Sequence, residues 1–382
     1  MPDRTVPDPW SLGPSDPTTP DPSDRSEPGL LDLAALGWDD DVAQQFAPFV
    51  EVHIPARVSR VDRGACDALS AEGLLRLTWS GALLSAGAAD PVATPCVGDW
   101  VAARAWSDGR VTAEAVLPRR TAFVRAAVTP GASYGQVLAA NVDVAVVVEG
   151  LLPEPDLGRI ERFLALAWES GATPMVVLTK ADLVHDADAV ADEVRAAAPG
   201  VVVVAVSSTT GEGLAAVLAQ VGPGRTLALL GSSGAGKSTL TNALAGADVM
   251  PTRALRVDGK GRHTTAHREL VLLPGGGLVI DTPGLRSVGL TDVSESLDLV
   301  FAEVDELAQQ CRFDDCAHDT EPGCAVRAAL ESGELPERRW QSYLTLAREA
   351  RWMAMRHDAR LRAEERTRWK RMTKAMRNGP VR

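Results

Sequence analysis

The chain has 382 residues, 45% of them hydrophobic, and a formal net charge of −12. This length accommodates about two to three domains of ~100–200 residues, each with an apolar core. No stretch approaches the ~18–20 consecutive apolar residues that span a bilayer. The first residues are rich in Asp, Pro and Ser, unlike a basic and then apolar secretory signal. We therefore expect a cytoplasmic protein without a membrane segment.

Residues 1–45 are predicted to be a disordered leader. Eight of the 25 prolines lie within residues 1–30, together with many Asp and Ser residues. Such a composition cannot bury enough apolar surface to offset the entropy lost on ordering. The sequence assigns no function to this leader.

Residues 46–120 are predicted to form a small β-barrel. Short runs alternate apolar and polar residues and are separated by Gly, Asp, Ser and Pro, at residues 56–61, 74–79, 97–105 and 110–117. Several short strands at this spacing favour a five-stranded barrel of the oligonucleotide-binding type. A β-module that only docks onto another surface is the alternative, and the spacing does not separate the two.

Residues 121–298 are predicted to form an α/β domain. Apolar runs that read as strands lie at residues 142–148, 175–178, 201–206, 226–230 and 278–280. Amphipathic or polar stretches that read as helices lie between them at residues 159–170, 187–198 and 238–245. Alternating strands and helices predict a parallel sheet covered on both faces.

A phosphate-binding loop lies between the strand at 226–230 and the helix that follows. Residues 231–238 match GxxxxGK[ST], in which backbone N–H groups and the helix N-terminus surround phosphates. Lys237 is expected to neutralise the β- and γ-phosphate oxygens in catalysis, and Ser238 to bind Mg²⁺. The predicted nucleotide-binding residues of this loop are Gly231, Ser232, Ser233, Gly234, Ala235, Gly236, Lys237, Ser238 and Thr239.

Two further motifs belong with this loop. Asp281-Thr-Pro-Gly284 follows an apolar strand, where the Asp of a P-loop enzyme holds Mg²⁺ and the Gly N–H contacts the γ-phosphate. Between the loop and this motif, residues 259–265 form a polar, Gly-rich segment that reads as a switch. Either Thr264 or Thr265 is expected to bind Mg²⁺, and the sequence does not choose between them.

The nucleotide base is predicted to be guanine. Thr179, Lys180, Ala181 and Asp182 follow a buried strand, and a carboxylate at position 182 can accept hydrogen bonds from guanine N1–H and its amino group. Adenine would leave that carboxylate unpaired, which costs roughly 1–3 kcal/mol. After the next strand, the sequence predicts that a backbone N–H of Ser207 or Ser208 donates to guanine O6.

Residues 299–382 are predicted to form a helical zinc-binding domain with a basic C-terminal helix. Its predicted zinc ligands supply three thiolates and one imidazole, which is a usual structural set, and they are Cys311, Cys316, His318 and Cys324. Residues 351–382 contain 11 Arg or Lys against 3 Asp or Glu. A basic, Trp-containing tail on an acidic chain is typical of an RNA-binding appendage, with a solvated charged helix as the alternative.

The base-reading motifs precede the phosphate loop, the reverse of the usual GTPase order. With the barrel before them and the cysteine cluster after them, these motifs resemble the ribosome small-subunit-dependent GTPase A family of circularly permuted GTPases. Further matches are VGDWV at 97–101, LPRRT at 117–121, QVLAANVD at 136–143, GRHTT at 261–265 and DTPGL at 281–285. The resemblance covers about residues 50–375. Departures from the family pattern are Thr179 where Asn is usual, Ser208 where Ala is frequent, and the long leader.

The resemblance implies a monomeric GTP hydrolase that acts in late maturation of the small ribosomal subunit. Its cofactors would be GTP or GDP, Mg²⁺ and one structural Zn²⁺. Its barrel and zinc domain would contact ribosomal RNA, and the subunit would stimulate a slow GTPase. A regulatory switch that binds GTP and a non-ribosomal protein partner is the main alternative. A metallochaperone NTPase is disfavoured, because four protein ligands would hold the zinc ion and leave no open position for its transfer.

Slow hydrolysis has a direct explanation in the sequence. Leu285 occupies the position where Ras-like GTPases carry a water-orienting Gln, and an apolar side chain cannot orient water. We hypothesise that His263, in the switch segment, is catalytic and positions the water when the subunit is bound. The alternative is that His263 is a solvated loop residue.

Overall fold

The structure is a computed structural model that describes residues 31–125, 135–249, 268–281 and 294–357. Its first helix, α1 (Asp40–Phe46), follows a 3₁₀ turn at Ala34–Leu36. Leu36, Val42 and Phe46 are buried in the main core. The prediction of a disordered leader as far as residue 45 is therefore wrong for residues 31–45, because their few apolar side chains find a partner surface that local composition does not reveal. Residues 1–30 lie outside the described part.

The first five strands form the predicted barrel. They are β1 (Ile54–Asp62), β2 (Ala65–Ser70), β3 (Gly73–Trp79), β4 (Trp100–Ala105) and β5 (Val111–Val116). The hydrogen-bonded order is β1-β2-β3-β5-β4, and β4 pairs back onto β1 to close the barrel. Helix α2 (Gly81–Ala89) connects β3 to β4. The interior is filled by small and medium apolar side chains such as Val58, Leu77 and Val101.

A two-stranded hairpin, β6 (Ala122–Arg125) and β7 (Gln136–Ala140), leads into the α/β domain. Its strands are β8 (Val144–Gly150), β9 (Thr173–Thr179), β10 (Val202–Ala205), β11 (Thr226–Leu230), β12 (Glu269–Leu272) and β13 (Leu278–Asp281). Their order is β10-β9-β8-β11-β13-β12, and every neighbouring pair is parallel except β12–β13. The helices of this domain are α3 (Leu157–Glu169), α4 (Ala187–Ala197), α5 (Leu214–Val221) and α6 (Lys237–Ala245).

Both faces of this sheet are buried, as its β-branched sequence predicts. Side chains alternate along each strand, so that Ala145 and Val147 of β8 face one core while Val146 and Val148 face the other. The first core includes α3 and the C-terminal helices, and the second includes α5 and α6. Burial on both faces fixes the strand order, and with it the positions of the loops at the strand ends.

The barrel and the α/β sheet are joined through β1. This strand pairs with β12 at Arg60 and Glu269, so that both units share one hydrogen-bonded sheet. Beside the joint, the guanidinium of Arg57 is almost completely buried and donates to the carbonyl oxygens of Leu36, Gly98 (3.3 Å) and Asn141 (2.9 Å) and to Thr226 Oγ1 (2.8 Å). Burial lowers the pKa of Arg57 to about 10. One side chain thus ties together the 3₁₀ turn at Ala34–Leu36, the barrel, the turn between β7 and β8, and strand β11.

The C-terminal segment consists of helices α7 (Ser294–Val300), α8 (Ala302–Ala308), α9 (Ala325–Ser332) and α10 (Glu337–His357). It is anchored to α3 by the fully buried carboxylate of Glu161, which accepts from Arg338 (2.8 Å), Arg339 (2.8 Å) and Ser342. The C-terminal unit therefore holds a helix of the α/β domain directly. No helix in the described ranges is long and apolar enough to cross a membrane.

Candidate nucleotide-binding site and zinc cluster

The phosphate loop connects β11 to α6 and depends on glycine. Gly231 has a φ of 150° and Gly236 a φ of 96°. A Cβ at position 231 would lie 2.2 Å from the carbonyl oxygen of Val148 on β8, a contact that no side chain tolerates. The loop therefore passes directly over the neighbouring strand, in the strand–loop–helix arrangement that surrounds phosphates in P-loop proteins.

Lys237 begins α6 and its ammonium folds back over the loop. Its Nζ donates to the carbonyl oxygens of Gly231 (2.9 Å) and Ser232 (2.8 Å). This position puts a cation over the concave side of the loop, where phosphate oxygens would be neutralised. Gly234 and Ala235 lie between these carbonyls and the helix, and the next helical residues are Ser238 and Thr239.

Asp281 lies next to this loop, at the end of β13. Its Oδ2 accepts a hydrogen bond from Ser238 Oγ at 3.1 Å, whereas Oδ1 is buried and has no hydrogen-bond partner among the described residues. Burial raises the pKa of the Asp281 carboxyl, against the effects of Ser238 and Lys237. A buried carboxylate oxygen without a donor, beside a Ser hydroxyl, fits a divalent cation with oxygen ligands.

Thr179 lies at the end of β9, two strands away from the phosphate loop. It is 2% exposed, and its hydroxyl donates to the carbonyl oxygen of Ala235 at 2.6 Å. The next residue, Lys180, adopts a φ of 65° and donates from Nζ to the carbonyl oxygen of Leu152 at 2.9 Å. The base-reading residues and the phosphate loop are thus in direct contact, although 56 residues separate Thr179 from Ala235.

Asp182 lies in a single 3₁₀ turn, Ala181–Leu183, and its side chain is exposed. Ala181 donates its N–H to the carbonyl oxygen of Val206 at 3.1 Å, which joins this turn to the loop after β10. In that loop the Ser207 N–H is bonded to the Glu212 carbonyl oxygen at 3.0 Å. Ser208 follows directly, so the two segments that are predicted to bind the base lie side by side.

The remaining predicted nucleotide-site residues lie outside the described residues. His263, Thr264 and Thr265 lie in the segment between α6 and β12, and Gly284 follows β13. Glu269, the first residue of β12, pairs with Asp281, the last residue of β13, so the first segment enters the sheet, and the second leaves it, at the edge that holds the phosphate loop. Leu285 also lies outside the described residues.

The four predicted zinc ligands come together. The thiols of Cys311, Cys316 and Cys324 and a ring nitrogen of His318 all lie within 4.8 Å of one another. The His318 Nδ1 is 3.6 Å from Cys311 Sγ and 3.4 Å from Cys324 Sγ, and the two sulfurs are 3.9 Å apart.

These separations fit a tetrahedral zinc ion. Bonds of ~2.3 Å to sulfur and ~2.0–2.1 Å to nitrogen separate the ligand atoms by roughly 3.5–3.8 Å. Cys324 is the N-cap of α9 and its sulfur accepts from the Arg327 N–H at 3.5 Å. The helix N-terminus also favours a thiolate there.

Two groups of functional interest were missed by the sequence analysis. Arg104 and Trp106 lie at the end of β4, where the guanidinium carbon is 4.1 Å from the ring centroid and the ring is 39% exposed. Their i, i+2 spacing on a strand places both side chains on one face, so the sequence could have predicted this pair. No sequence pattern predicts the buried Glu161–Arg339 pair, because charged residues in helices are usually solvated.

Comparisons with known proteins decide the family. Residues 116–291 match the family model described as RsgA GTPase. The chain is 56% identical to a protein of Streptomyces coelicolor named Small ribosomal subunit biogenesis GTPase RsgA, over 89% of this chain and 92% of that protein. The chain belongs to the RsgA GTPase family. The predicted resemblance is confirmed.

Other RsgA proteins and solved structures agree with this assignment. An Opitutus terrae RsgA is 49% identical over 91% of this chain and 97% of its own length. The crystal structure of YjeQ from Thermotoga maritima matches with a TM-score of 0.59 and 26% identity, covering 78% of this chain and 99% of that chain. YloQ, described as a circularly permuted GTPase, matches with a TM-score of 0.56 and 28% identity, covering 78% and 96%.

The predicted fold class is confirmed. The closed five-stranded barrel, the α/β GTPase domain with its motifs in permuted order and the Cys₃His cluster follow one another as expected. In this RsgA family member the last strand, β13, leads toward the C-terminal helices rather than into the base-reading half of the domain. Because of this motif order, the segment that carries the Cys₃His cluster follows Asp281 along the chain.

Proposed function

We propose that this protein hydrolyses GTP as a biogenesis factor of the small ribosomal subunit. The observation that carries this proposal is the 56% identity, over nearly the whole chain, to a relative whose name states that activity. A second Streptomyces protein with the same name is equally similar, 56% identical over 89% of this chain. The geometry of the site supplies the chemical basis.

The phosphates of the nucleotide bind in the loop from Gly231 to Ser238. Backbone N–H groups and the N-terminus of α6 surround the phosphate oxygens, and Lys237 moves its ammonium from the loop carbonyls to the β- and γ-oxygens. This exchange is favoured because a charge-assisted bond to phosphate is stronger than one to a neutral carbonyl. Ser232, Ser233 and Thr239 flank the oxygens.

The guanine base binds between the two neighbouring loops at the ends of β9 and β10. Asp182 accepts from N1–H and the amino group, and the stem of Lys180 packs across the base. Because the Ser207 N–H is already bonded to Glu212, Ser208 is the residue that donates to guanine O6. The proximity of Ala181 to Val206 supports this arrangement.

Mg²⁺ supplies charge neutralisation between the phosphates when it is bound. Ser238 and Asp281 are its protein partners, together with Thr264 or Thr265 from the switch segment, and the Gly284 N–H meets the γ-phosphate. The unpartnered Oδ1 of Asp281 supports this assignment. The Ser238 hydroxyl would keep its hydrogen on Asp281 Oδ2 and offer an oxygen lone pair to the cation.

Hydrolysis is slow until the ribosomal subunit binds. Leu285 cannot orient the attacking water, so positioning has to come from elsewhere. His263 moves in when the subunit is bound, and its imidazole helps to position the water. This step accounts for a GTPase whose activity depends on its partner.

The zinc ion is structural. Cys311, Cys316, His318 and Cys324 would fill all four ligand positions of a bound zinc ion and leave none for substrate. The ion holds the loop between α8 and α9, which packs through α10 and Glu161 onto α3. The segment that carries the four ligands is therefore anchored to the GTPase domain through Glu161.

Ribosomal RNA is contacted by the barrel and by the basic tail. On the barrel, Trp106 is held by the Arg104 guanidinium over its ring and by its Nε1–H bond to Thr112 at 2.8 Å. A rigid, exposed aromatic ring beside a cation is a platform on which an unpaired base stacks. Residues 351–382 add a local charge of about +8, which attracts the phosphates of the RNA backbone. The protein acts as a cytoplasmic monomer.

Co-sedimentation with purified small subunits tests this proposal. The protein should sediment with the subunits in the presence of a non-hydrolysable GTP analogue and be released in GDP, and the subunits should raise GTP turnover. Large ribosomal subunits serve as the matched control. Failure to bind small subunits in either nucleotide state would overturn the ribosomal assignment and favour a GTP switch with another protein partner.

A further inference from the structure

Thr179 occupies the position where the base-reading motif usually carries Asn. Its contacts show which hydrogen bonds a Thr can make at this position and which ones would require Asn. The side chain is buried at 2% exposure, between β8 and the phosphate loop. Its Oγ1 is 2.6 Å from the carbonyl oxygen of Ala235 and 3.3 Å from that of Glu149. Both neighbours are acceptors, so the hydroxyl faces two groups that require its hydrogen.

A threonine hydroxyl has one hydrogen to donate. The shorter distance assigns that hydrogen to Ala235, which holds the phosphate loop against the end of β9. The loop also passes close to Thr179 at Gly236, where an added Cβ would lie only 3.1 Å from Thr179 Oγ1. The hydroxyl is thus fixed on the phosphate loop and has no hydrogen left for a nucleotide.

An asparagine amide differs in one respect that matters here. It carries two N–H hydrogens on one nitrogen, so it can donate to the loop carbonyl and still donate to an acceptor on the base. The imidazole edge of guanine presents such an acceptor at N7, whereas N1–H and the amino group are donors that suit Asp182. Position 179 therefore decides whether N7 receives a hydrogen bond.

We infer that Thr179 is a positioning residue that ties the phosphate loop to the base-reading strand, and that this protein leaves guanine N7 unread. The inference rests on the proposed guanine-nucleotide site. Base selectivity then comes from Asp182 and the Ser208 N–H, and the affinity for GDP is lower than an Asn at position 179 would give. Thr179→Asn should increase GDP affinity about fivefold, the usual effect of one added hydrogen bond.

The test is the ratio of the Kd for 7-deaza-GDP to the Kd for GDP, measured by calorimetry on the full chain with Mg²⁺. 7-Deaza-GDP has a C–H in place of N7 and is otherwise the same ligand. The wild-type ratio should lie within about twofold of 1, and Thr179→Asn should raise it to about 5. A change that merely altered folding would weaken both ligands equally and leave the ratio unchanged.

Two further variants test the tie to the phosphate loop. Thr179→Val has the same shape without the hydroxyl, and it should weaken GDP and 7-deaza-GDP together by about fivefold to tenfold. Thr179→Ser retains the hydroxyl and should restore wild-type affinity. Equal GDP affinity in Thr179→Val and wild type would show that the tie has no effect on binding.

The outcomes separate this inference from the proposed function. A wild-type protein that binds GDP with a ratio of about 5 or more, or a Thr179→Asn variant whose ratio stays near 1, would overturn the inference alone. A wild-type protein that does not bind GDP at all would overturn the guanine-nucleotide site and the inference with it.

Discussion

The hydroxyl of Ser238 donates a hydrogen bond to Oδ2 of Asp281 at 3.1 Å, although 43 residues separate them in sequence. The contact exists because β11 and β13 are adjacent parallel strands, with Leu229 opposite Asp281. The carboxyl ends of parallel strands meet at one edge of a sheet, which is where α/β proteins bind ligands. The bond places the Asp of the DTPG motif against the first turn of α6.

Asp281→Asn should reduce GTP turnover without reducing the thermal stability of the protein. Burial raises the pKa of Asp281, so the folded protein without ligands bears the cost of ionising this group at neutral pH. Removing the charge should leave the Tm of the ligand-free protein unchanged or higher, whereas Mg²⁺-dependent GTP turnover falls by roughly 10²-fold or more. Asp182→Asn is the control, since its exposed side chain should leave the Tm unchanged. A Tm several degrees below that of the wild type would contradict the first expectation.

His263→Ala should reduce only the GTPase activity that the small subunit stimulates. The proposed role in positioning water predicts a loss of about 10²-fold in stimulated turnover, with intrinsic turnover and GDP affinity unchanged. Single-turnover hydrolysis with and without purified subunits measures both rates. Lys237→Ala is the control for lost nucleotide binding, because it should lower activity under both conditions. If the variant shows stimulated turnover at the wild-type rate, His263 has no catalytic role and the alternative interpretation, a solvated loop residue, holds.

Trp106→Ala should weaken binding to RNA without affecting the nucleotide site. A stacked base contributes about 1–3 kcal/mol, so affinity for small subunits should fall by about fivefold to 10²-fold, while intrinsic GTP turnover stays constant. Trp106→Phe keeps an aromatic face and should retain most of the affinity. Wild-type affinity in Trp106→Ala, measured at the same salt concentration, would exclude a stacking role for this ring.

The Cys₃His cluster should hold one zinc ion per chain. Cys324→Ser removes a thiolate and should lose the metal and lower the Tm, since binding of a structural zinc contributes directly to folding. Cys66→Ala is the matched control, because Cys66 lies in the barrel interior and should leave zinc content unchanged. Elemental analysis of the purified variants decides between them. Full zinc content in Cys324→Ser would refute the ligand assignment.

Thiol labelling gives an independent measurement of the same cluster. Burial raises the pKa of Cys66 to about 12 and that of Cys96 well above its usual range. Both thiols should stay unreactive in the folded protein, and the three cluster thiols should become reactive only after a chelator is added.

Arg339→Ala should strongly destabilise the contact between the C-terminal unit and α3. Arg339 donates to Glu161 (2.8 Å), to Glu303 (2.6 Å) and to the carbonyl oxygens of Ala197 and Val300. Breaking a buried ion pair costs about 3–5 kcal/mol in the free energy of unfolding. Arg338→Ala is the matched control, because Arg338 bonds the same carboxylate from a side chain 42% exposed, and its loss should cost about 1 kcal/mol or less. Urea denaturation measures both, and equal losses would contradict this assignment.

The sequence alone was sufficient for everything that depends on local pattern. The strand at Thr226–Leu230 and the helices α3, α4 and α6 were predicted within two residues of their observed bounds. Each of these features follows from a local pattern: the strands from their periodicity, the phosphate loop from the spacing of GxxxxGKS, and the zinc ligands from the spacing of the Cys₃His set. The family followed from the order of these motifs, because the order is itself a property of the sequence.

Only the tertiary structure determined how distant residues meet. Burial of Leu36 and Val42 corrects the leader boundary, because both belong to a core that is formed largely by residues far along the chain, such as Trp100 and Phe123. No partner for the Thr179 hydroxyl follows from the sequence, and the fold assigns it to Ala235 because β9 ends beside the phosphate loop. Arg57 and Arg339 look like surface residues in sequence, and both are buried donors that join separate units. Local pattern specifies which elements form, whereas packing and the satisfaction of buried polar groups decide which side chains touch.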